Sequence, residues 1–444
     1  MVQETVPVEL RIRQRVEPSL VPPAEQTPNG LYYLSNLDQN IAVIVQTVYL
    51  FRAAADNDSS SSFDVLRESL AKVLVAYYPL AGRLTMSGEG KLIVDCTGEG
   101  AVFVEAEADC ALADIGDVSA EPDPAVLGKL VYTVPGAKNI LEMPLLAAQV
   151  TKFRCGGFVL GLAINHCMFD GVGAMQFVNS WGETARGLPL SVPPVLDRSV
   201  LRARDPPQID FPHHEFAQIN DHEDDDDKLD SDDEALLYRS FRFTPSCIAR
   251  VKALVAAAAP GLEEPMCRTT TTFEAVAGLV WSARTRALRL RRSKLLFAVD
   301  ARPRLAATSP AAIPAGYFGN AIVLTSATCA AGDLTPPVGA RLVRGAAAAV
   351  TPAYVRSAVD YFEATRARPS LASTLLVTAW SRLPFDAADF GWGPPAACGP
   401  AALPEREVAL FLSCGGGGVR VLLGLPPAAM AEFQRIVDEV VDAA

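Results

Sequence analysis

Residues 157–173 read GFVLGLAINHCMFDGVG. The first nine, Gly157 to Asn165, are almost wholly apolar. Such a run suits a central strand covered on both faces. The apolar run stops at His166, and Asp170, Gly171 and Gly173 follow in a tight turn. The chain then takes a helical spacing through Ala174, Phe177, Val178, Trp181 and Ala185, which Gly187 and Pro189 close. Buried strand, turn and helix in that order point to a mixed α/β fold.

Working outward, Val8, Leu10 and Ile12 alternate with Glu9, Arg11 and Arg13, the period of a half-buried strand. Phe63 to Tyr78 carries a helical spacing that Pro79 and Gly82 end. Lys91–Asp95 and Ala101–Glu105 read as short strands. From Pro193 the composition turns to proline and then to acid, without apolar period. A second set follows: strands at 236–243, 295–299, 321–325, 375–380, 408–412 and 419–423, and helices at 272–288 and 427–441. The economical architecture is two α/β halves, 1–195 and 236–444, joined by a crossover linker at 196–235. No short-period repeat occurs.

The chain has 444 residues, half of them apolar and a fifth charged, an ordinary globular composition. Its net charge of -12 is concentrated. Asp221 to Glu234 reads DHEDDDDKLDSDDE, ten acids and one lysine, and the remainder holds 41 acids against 38 bases. That run is read as a solvated loop. No basic stripe exists, which excludes the usual footprint of nucleic-acid binding. The nine cysteines form no CxxC pair, so no zinc or thioredoxin-type motif is present. They fit a reducing compartment. The N-terminus has no signal-peptide pattern, and no run of 18 apolar residues occurs. A cytoplasmic monomer without membrane span, metal or permanently bound cofactor is expected.

There are four histidines. His213 and His214 fall in the linker and His222 in the acidic run, where exposed loop positions are expected. His166 ends a core strand, where a polar group is costly unless paired or used. Two readings are open from the residues: a satisfied core histidine, or a general base. Asp170, four residues on, could orient the imidazole or brace the turn. Gly171 and Gly173 let the backbone bend. No GxSxG elbow is present, and Cys167 points away from its neighbour on an extended chain. A basic His166 would therefore activate a substrate hydroxyl directly, with no covalent enzyme intermediate. A second segment, Asp389-Phe390-Gly391-Trp392-Gly393 before Pro394 and Pro395, reads from its residues as a tight turn with a buried aromatic.

His166-x-x-x-Asp170-Gly171 and Asp389-Phe390-Gly391-Trp392-Gly393, in this order, resemble the two signature motifs of the plant BAHD acyl-CoA-dependent acyltransferases. Segments 34–39 (LSNLDQ), 77–83 (YYPLAGR), 273–275 (FEA), 299–302 (VDAR) and 317–320 (YFGN) agree, and the resemblance covers nearly the whole chain. It implies two similar domains of the chloramphenicol acetyltransferase type with a channel between them, and acyl-CoA as co-substrate. It implies that His166 deprotonates the acceptor, with Asp170 a brace. Asp389, grouped with His166 and Asp170 as a catalytic candidate, is implied to be structural and salt-bridged to Arg302. Trp392, Thr378, Trp380 and Ser35 are implied on the substrate and oxyanion side. Thr271, Thr272, Asp300 and Arg302 are implied on the CoA side, and Gly171, Gly391 and Gly393 in the motif turns.

Within the family, segments 30–45, 156–187 and 360–376 are similar to feruloyl transferases acting on omega-hydroxy fatty acids and fatty alcohols, which make aromatic esters of suberin and wax. A hydroxycinnamoyl transfer to such a hydroxyl is the first expectation. Transfer to a polyamine, drawn by the acidic run, or to shikimate or quinate is the alternative. Arg366 and Arg368 do not match the arginine spacing of shikimate-accepting relatives. A non-catalytic relative is the third reading, and the intact motifs argue against it.

Overall fold

The computed structural model describes residues 10–53, 62–116, 118, 123–219, 235–258, 269–305, 312–402 and 406–442. The acidic run with His222, and Val8 of the N-terminal alternation, lie outside these residues. The chain forms two compact units that do not follow chain order. The first takes Met1–Arg202, Ala306–Ala321 and Leu383–Ala402, and the second takes Ala203–Leu305, Ile322–Arg382 and Leu403–Ala444. This differs from the linear division at 195 and 236. Two later stretches, carrying Asn320 and the 389–393 turn, belong to the first unit.

The first unit is built on a seven-stranded sheet. Its order is Ile12–Gln14, Ala101–Ala108, Leu146–Lys152, Phe158–Asn165, Ile44–Phe51 and Ala397–Pro400, with Ser19–Val21 also pairing to Ala101–Ala108. All eight residues of Phe158–Asn165 are buried, as their apolar run predicts. Their side chains alternate between two cores: Phe158, Leu160, Leu162 and Ile164 pack in one, and Val159 and Ala163 in another. Gly161 lies between. A Cβ there would run into the Leu130 carbonyl oxygen, so only glycine lets the short helical turn Gly128–Leu130 pack on the strand.

Two helices cover one face of this sheet. Ser62–Ala76 buries Phe63, Leu66, Leu70, Val73 and Leu74, and Gly171–Ala185 buries Met175, Phe177, Val178 and Trp181. Fully burying a side chain such as Phe177 contributes about 2 kcal/mol or more. The polar end of Trp181 is met by Ser69, whose Oγ accepts its indole hydrogen at 2.9 Å, as a buried indole requires. A small sheet of Leu31–Tyr33, Leu92–Asp95 and Arg83–Met86 completes the unit.

The second unit has a six-stranded mixed sheet, in order Leu237–Phe243, Val419–Leu425, Val408–Ser413, Thr374–Ala379, Arg292–Asp300 and Ile322–Ala330. The Thr374–Ala379 strand is parallel to both neighbours. Helix Thr272–Ala287 is buried nearly all round. At Gly278 a Cβ would lie 2.5 Å from the Ala340 nitrogen, so helix Pro336–Ala349 touches it backbone to backbone.

One linker expectation is overturned here. His213 is 2% exposed. Its Nδ1 lies 2.7 Å from Glu215 Oε1, and its Nε2 lies 2.8 Å from Ser357 Oγ on helix Pro352–Thr365. The linker is tied down by these buried polar partners, so its histidine sits in a core. His214, the next residue, is exposed. Among the described residues no helix is long and apolar enough to cross a membrane.

Candidate active site

The Phe158–Asn165 strand delivers His166 into a turn whose backbone is fully committed. His166 N–H donates to the Val43 carbonyl at 2.9 Å. Its own carbonyl accepts from Asn320 Nδ2 at 2.8 Å. The imidazole is less committed: Nδ1 is closed off from solvent without a hydrogen-bond partner, while the residue as a whole is partly buried. Burial lowers the pKa of the ring below its usual value of 6.5, against opposing pulls from its own backbone, Asp170, Asn320 and Asp38. Near neutral pH the ring is therefore uncharged and able to accept a proton.

Asp170 is 2% exposed. One oxygen caps helix Gly171–Ala185 by accepting from Gly173 N–H at 3.0 Å, and the other accepts Ala321 N–H at 2.9 Å. The carboxylate thus sits at the positive end of the helix and ties the turn to segment 312–321. Gly173 is required for that approach, since a Cβ would run into the Phe318 carbonyl oxygen. Gly171 faces only the tip of Leu383. Cys167 is fully buried, and burial pushes its thiol pKa far up, so it holds its proton.

Asp38 sits one layer behind. It is fully buried and accepts Asn320 N–H at 2.8 Å and Asn320 Nδ2 at 2.9 Å. Ser35, grouped with the substrate-side residues on sequence, caps helix Asn36–Asn40 and donates its hydroxyl to Asp38 Oδ2 at 2.8 Å. Asp38 and Asn320 carry no catalytic signal of their own in the sequence, and neither does Arg198. All three meet at the His166 turn.

The 389–393 segment is a locked turn. Asp389 Oδ1 accepts from Gly391 N–H at 2.8 Å and Gly393 N–H at 2.9 Å. Both glycines have left-handed backbone, φ 106° and 79°, which favours glycine. Phe390 packs edge-on to Phe51 and Trp181, and Trp392 edge-on to Phe158. Asp389 and Arg302, expected to pair, fall in different units. Asp389 pairs with Arg186 at 3.2 Å, and Arg302 lies 3.1 Å from Asp300. The cause is local. Gly182 lets the helix backbone meet the Asp389 carbonyl, since a Cβ there would be 2.5 Å from it. Arg186, one turn further along, is then within reach.

The remaining predicted residues lie in the second unit. Thr271 caps helix Thr272–Ala287 in a capping box with Glu274, and Arg344 braces Glu274 at 2.9 Å. Thr378 lies on strand Thr374–Ala379. Trp380 follows it and packs against Leu410, Leu412 and Leu422. No cluster of His, Cys, Asp and Glu suited to a metal occurs among the described residues.

Residues 9–440 match the transferase family. The chain belongs to this family, the BAHD acyltransferases. It is 54% identical to an omega-hydroxypalmitate O-feruloyl transferase of Arabidopsis thaliana, over 96% of this chain and 93% of that one. It is 52% identical to a fatty alcohol:caffeoyl-CoA acyltransferase of the same plant, over 96% and 97%. Among solved structures, F. graminearum TRI101 complexed with coenzyme A and T-2 mycotoxin superposes with a TM-score of 0.72 at 16% identity, covering 91% of this chain and 97% of that one. That likeness is one of fold. A BAHD acyltransferase moves an acyl group, and the imidazole at the end of the core strand is uncharged near neutral pH with Nδ1 unpartnered.

Proposed function

We propose that this acyltransferase moves a hydroxycinnamoyl group, feruloyl first, from CoA to the hydroxyl of an omega-hydroxy fatty acid or fatty alcohol, with His166 as the base. The observation that carries the chemistry is an imidazole kept neutral by burial on a backbone whose N–H and C=O are both hydrogen-bonded. His166 takes the proton of the acceptor hydroxyl as its oxygen attacks the thioester carbonyl. The tetrahedral intermediate collapses, the C–S bond breaks, and the CoA sulfur leaves with the proton returned through the imidazole. In this reading Thr271, Thr272, Asp300 and Arg302 serve CoA, and Thr378, Trp380 and Trp392 serve the acyl group. The fatty acceptor is supported by the two Arabidopsis relatives above half identity.

The test is a purified-protein assay with feruloyl-CoA and caffeoyl-CoA against an omega-hydroxy fatty acid, a long-chain alcohol, shikimate and spermidine. Ester formation with the fatty hydroxyls at a kcat/KM at least tenfold above the others is expected. Turnover with spermidine alone would remove the acceptor assignment and keep the acyl transfer.

A further inference from the structure

We propose that Arg198, Asp38 and Asn320 are positioning residues that fix where the His166 imidazole stands, by gripping the carbonyls on either side of its turn. The proposal rests on His166 being the base.

Asn320 Nδ2 donates to the His166 carbonyl, and Arg198 Nη2 donates to the Met168 carbonyl at 2.9 Å. Asp38 joins the two grips. It accepts from Asn320 Nδ2 and N, and it stands 3.5 Å from Arg198 Nη1. Both charged side chains are fully buried. Arg198 Nε reaches the Tyr32 hydroxyl at 2.6 Å.

The segment Tyr317-Phe318-Gly319-Asn320 is built around this arrangement. The guanidinium lies 4.4 Å from the Phe318 ring and 5.3 Å from the Tyr317 ring. A Cβ at position 319 would run into Arg198 Nη1, so glycine makes the room. Asn320 makes the grip on His166. Four consecutive residues thus serve Arg198 or the His166 turn.

A buried ion pair is a poor device for stability alone, because desolvation consumes most of the Coulombic gain and an apolar pair of similar volume does as well. Its return here is geometric. A general base works only within hydrogen-bond reach of its proton, and a displacement near 1 Å costs about 100-fold in rate.

The experiment compares wild type, Asn320→Ala, the double variant Asp38→Leu/Arg198→Met, and His166→Ala. It reads kcat, KM for feruloyl-CoA and acceptor, and thermal melting. For Asn320→Ala we expect kcat to fall by about 10- to 100-fold, with both KM values within about threefold and a modestly lowered melting transition, since the His166 carbonyl and Asp38 each lose a buried donor. For the double variant we expect a lowered melting transition, because Ser35, Asn320 and the Met168 carbonyl lose buried partners although no lone charge is left, and a reduced kcat per folded molecule. Wild-type kcat in Asn320→Ala would overturn the proposal, as would wild-type kcat in the folded double variant. If the double variant does not fold, Asn320→Ala decides. Full turnover by His166→Ala would instead overturn the base assignment, so the two failures are separable.

Discussion

His166 and His213 are both turn histidines taken out of bulk water, and their rings are partnered in opposite ways. Around His213 the ring is saturated. Ser357 Oγ already accepts the N–H groups of Asp210 and Phe211, so its own hydrogen is left for Nε2, and Nδ1 is left to donate to Glu215. Tyr354 and Tyr361 pack against the ring, and Lys294 Nζ donates to the Ala217 carbonyl at 2.7 Å. At His166 the saturation is reversed: the backbone is fully engaged and Nδ1 has no partner. A histidine with both ring nitrogens occupied ties a segment down. One with a fixed backbone and a ring not tied at both nitrogens keeps the capacity to take up a proton.

The largest expected effect is on rate. His166→Ala should lower kcat by about 100-fold or more and change folding stability by about 1 kcal/mol or less, read by steady-state kinetics beside denaturant unfolding. His213→Ala should do the reverse. It strands the buried Glu215 carboxylate and should cost about 2–4 kcal/mol of stability, while kcat per folded molecule stays within about threefold. If His213→Ala loses activity as steeply as His166→Ala while still folded, the contrast between the two histidines is broken.

A smaller effect sharpens the same contrast. Ser357→Ala removes the acceptor of two backbone N–H groups and the donor to His213, but it leaves the Glu215 contact in place. A loss of about 1–2 kcal/mol is expected, below that of His213→Ala, with kcat unchanged. An equal or greater loss would mean that Ser357, and not the His213–Glu215 pair, carries the clasp.

What the sequence shows of this arrangement follows the range of each interaction. The strand Phe158–Asn165, helix Gly171–Ala185 and the 389–393 turn are legible because apolar spacing, a capping Asp and paired glycines are local signals. His166 stands out for the same reason. The helices Pro245–Ala257, Pro336–Ala349 and Pro352–Thr365 carry a weaker mark: each opens on a Thr N-cap followed by Pro at the first helical position. The alanine-rich body of Pro336–Ala349 blurs its apolar face. The burial of His213 and the partners of Asn320 are not legible, although segment 317–320 is marked by the family resemblance. The bond from His213 to Ser357 spans 144 residues, and that from Asn320 to Asp38 spans 282. Burial and partnership across such separations are set by the fold. The same non-local return places the 389–393 turn in the first unit.

The smallest effect expected is a displacement along the pH axis, and its sign separates the proposed catalytic role of His166 from its contribution to stability. The base works unprotonated, so kcat/KM should be full above the pKa of the free enzyme's imidazole and fall as pH drops through it. Burial holds that pKa below 6.5, the opposing backbone, Asp170, Asn320 and Asp38 contributions notwithstanding. The midpoint of the acid limb should therefore lie below pH 6.5. Stability runs on the other pKa. The unfolded chain protonates its histidine more readily than the folded one, so the His166 contribution is complete above the unfolded value and declines as pH falls below it. Activity should consequently persist into a range where the His166 share of stability is already declining. His166→Ala should remove the limb from the residual rate and flatten this part of the stability profile. An acid limb at or above pH 6.5 would place a charge-stabilising partner on the ring and return His166 to the saturated class that His213 represents.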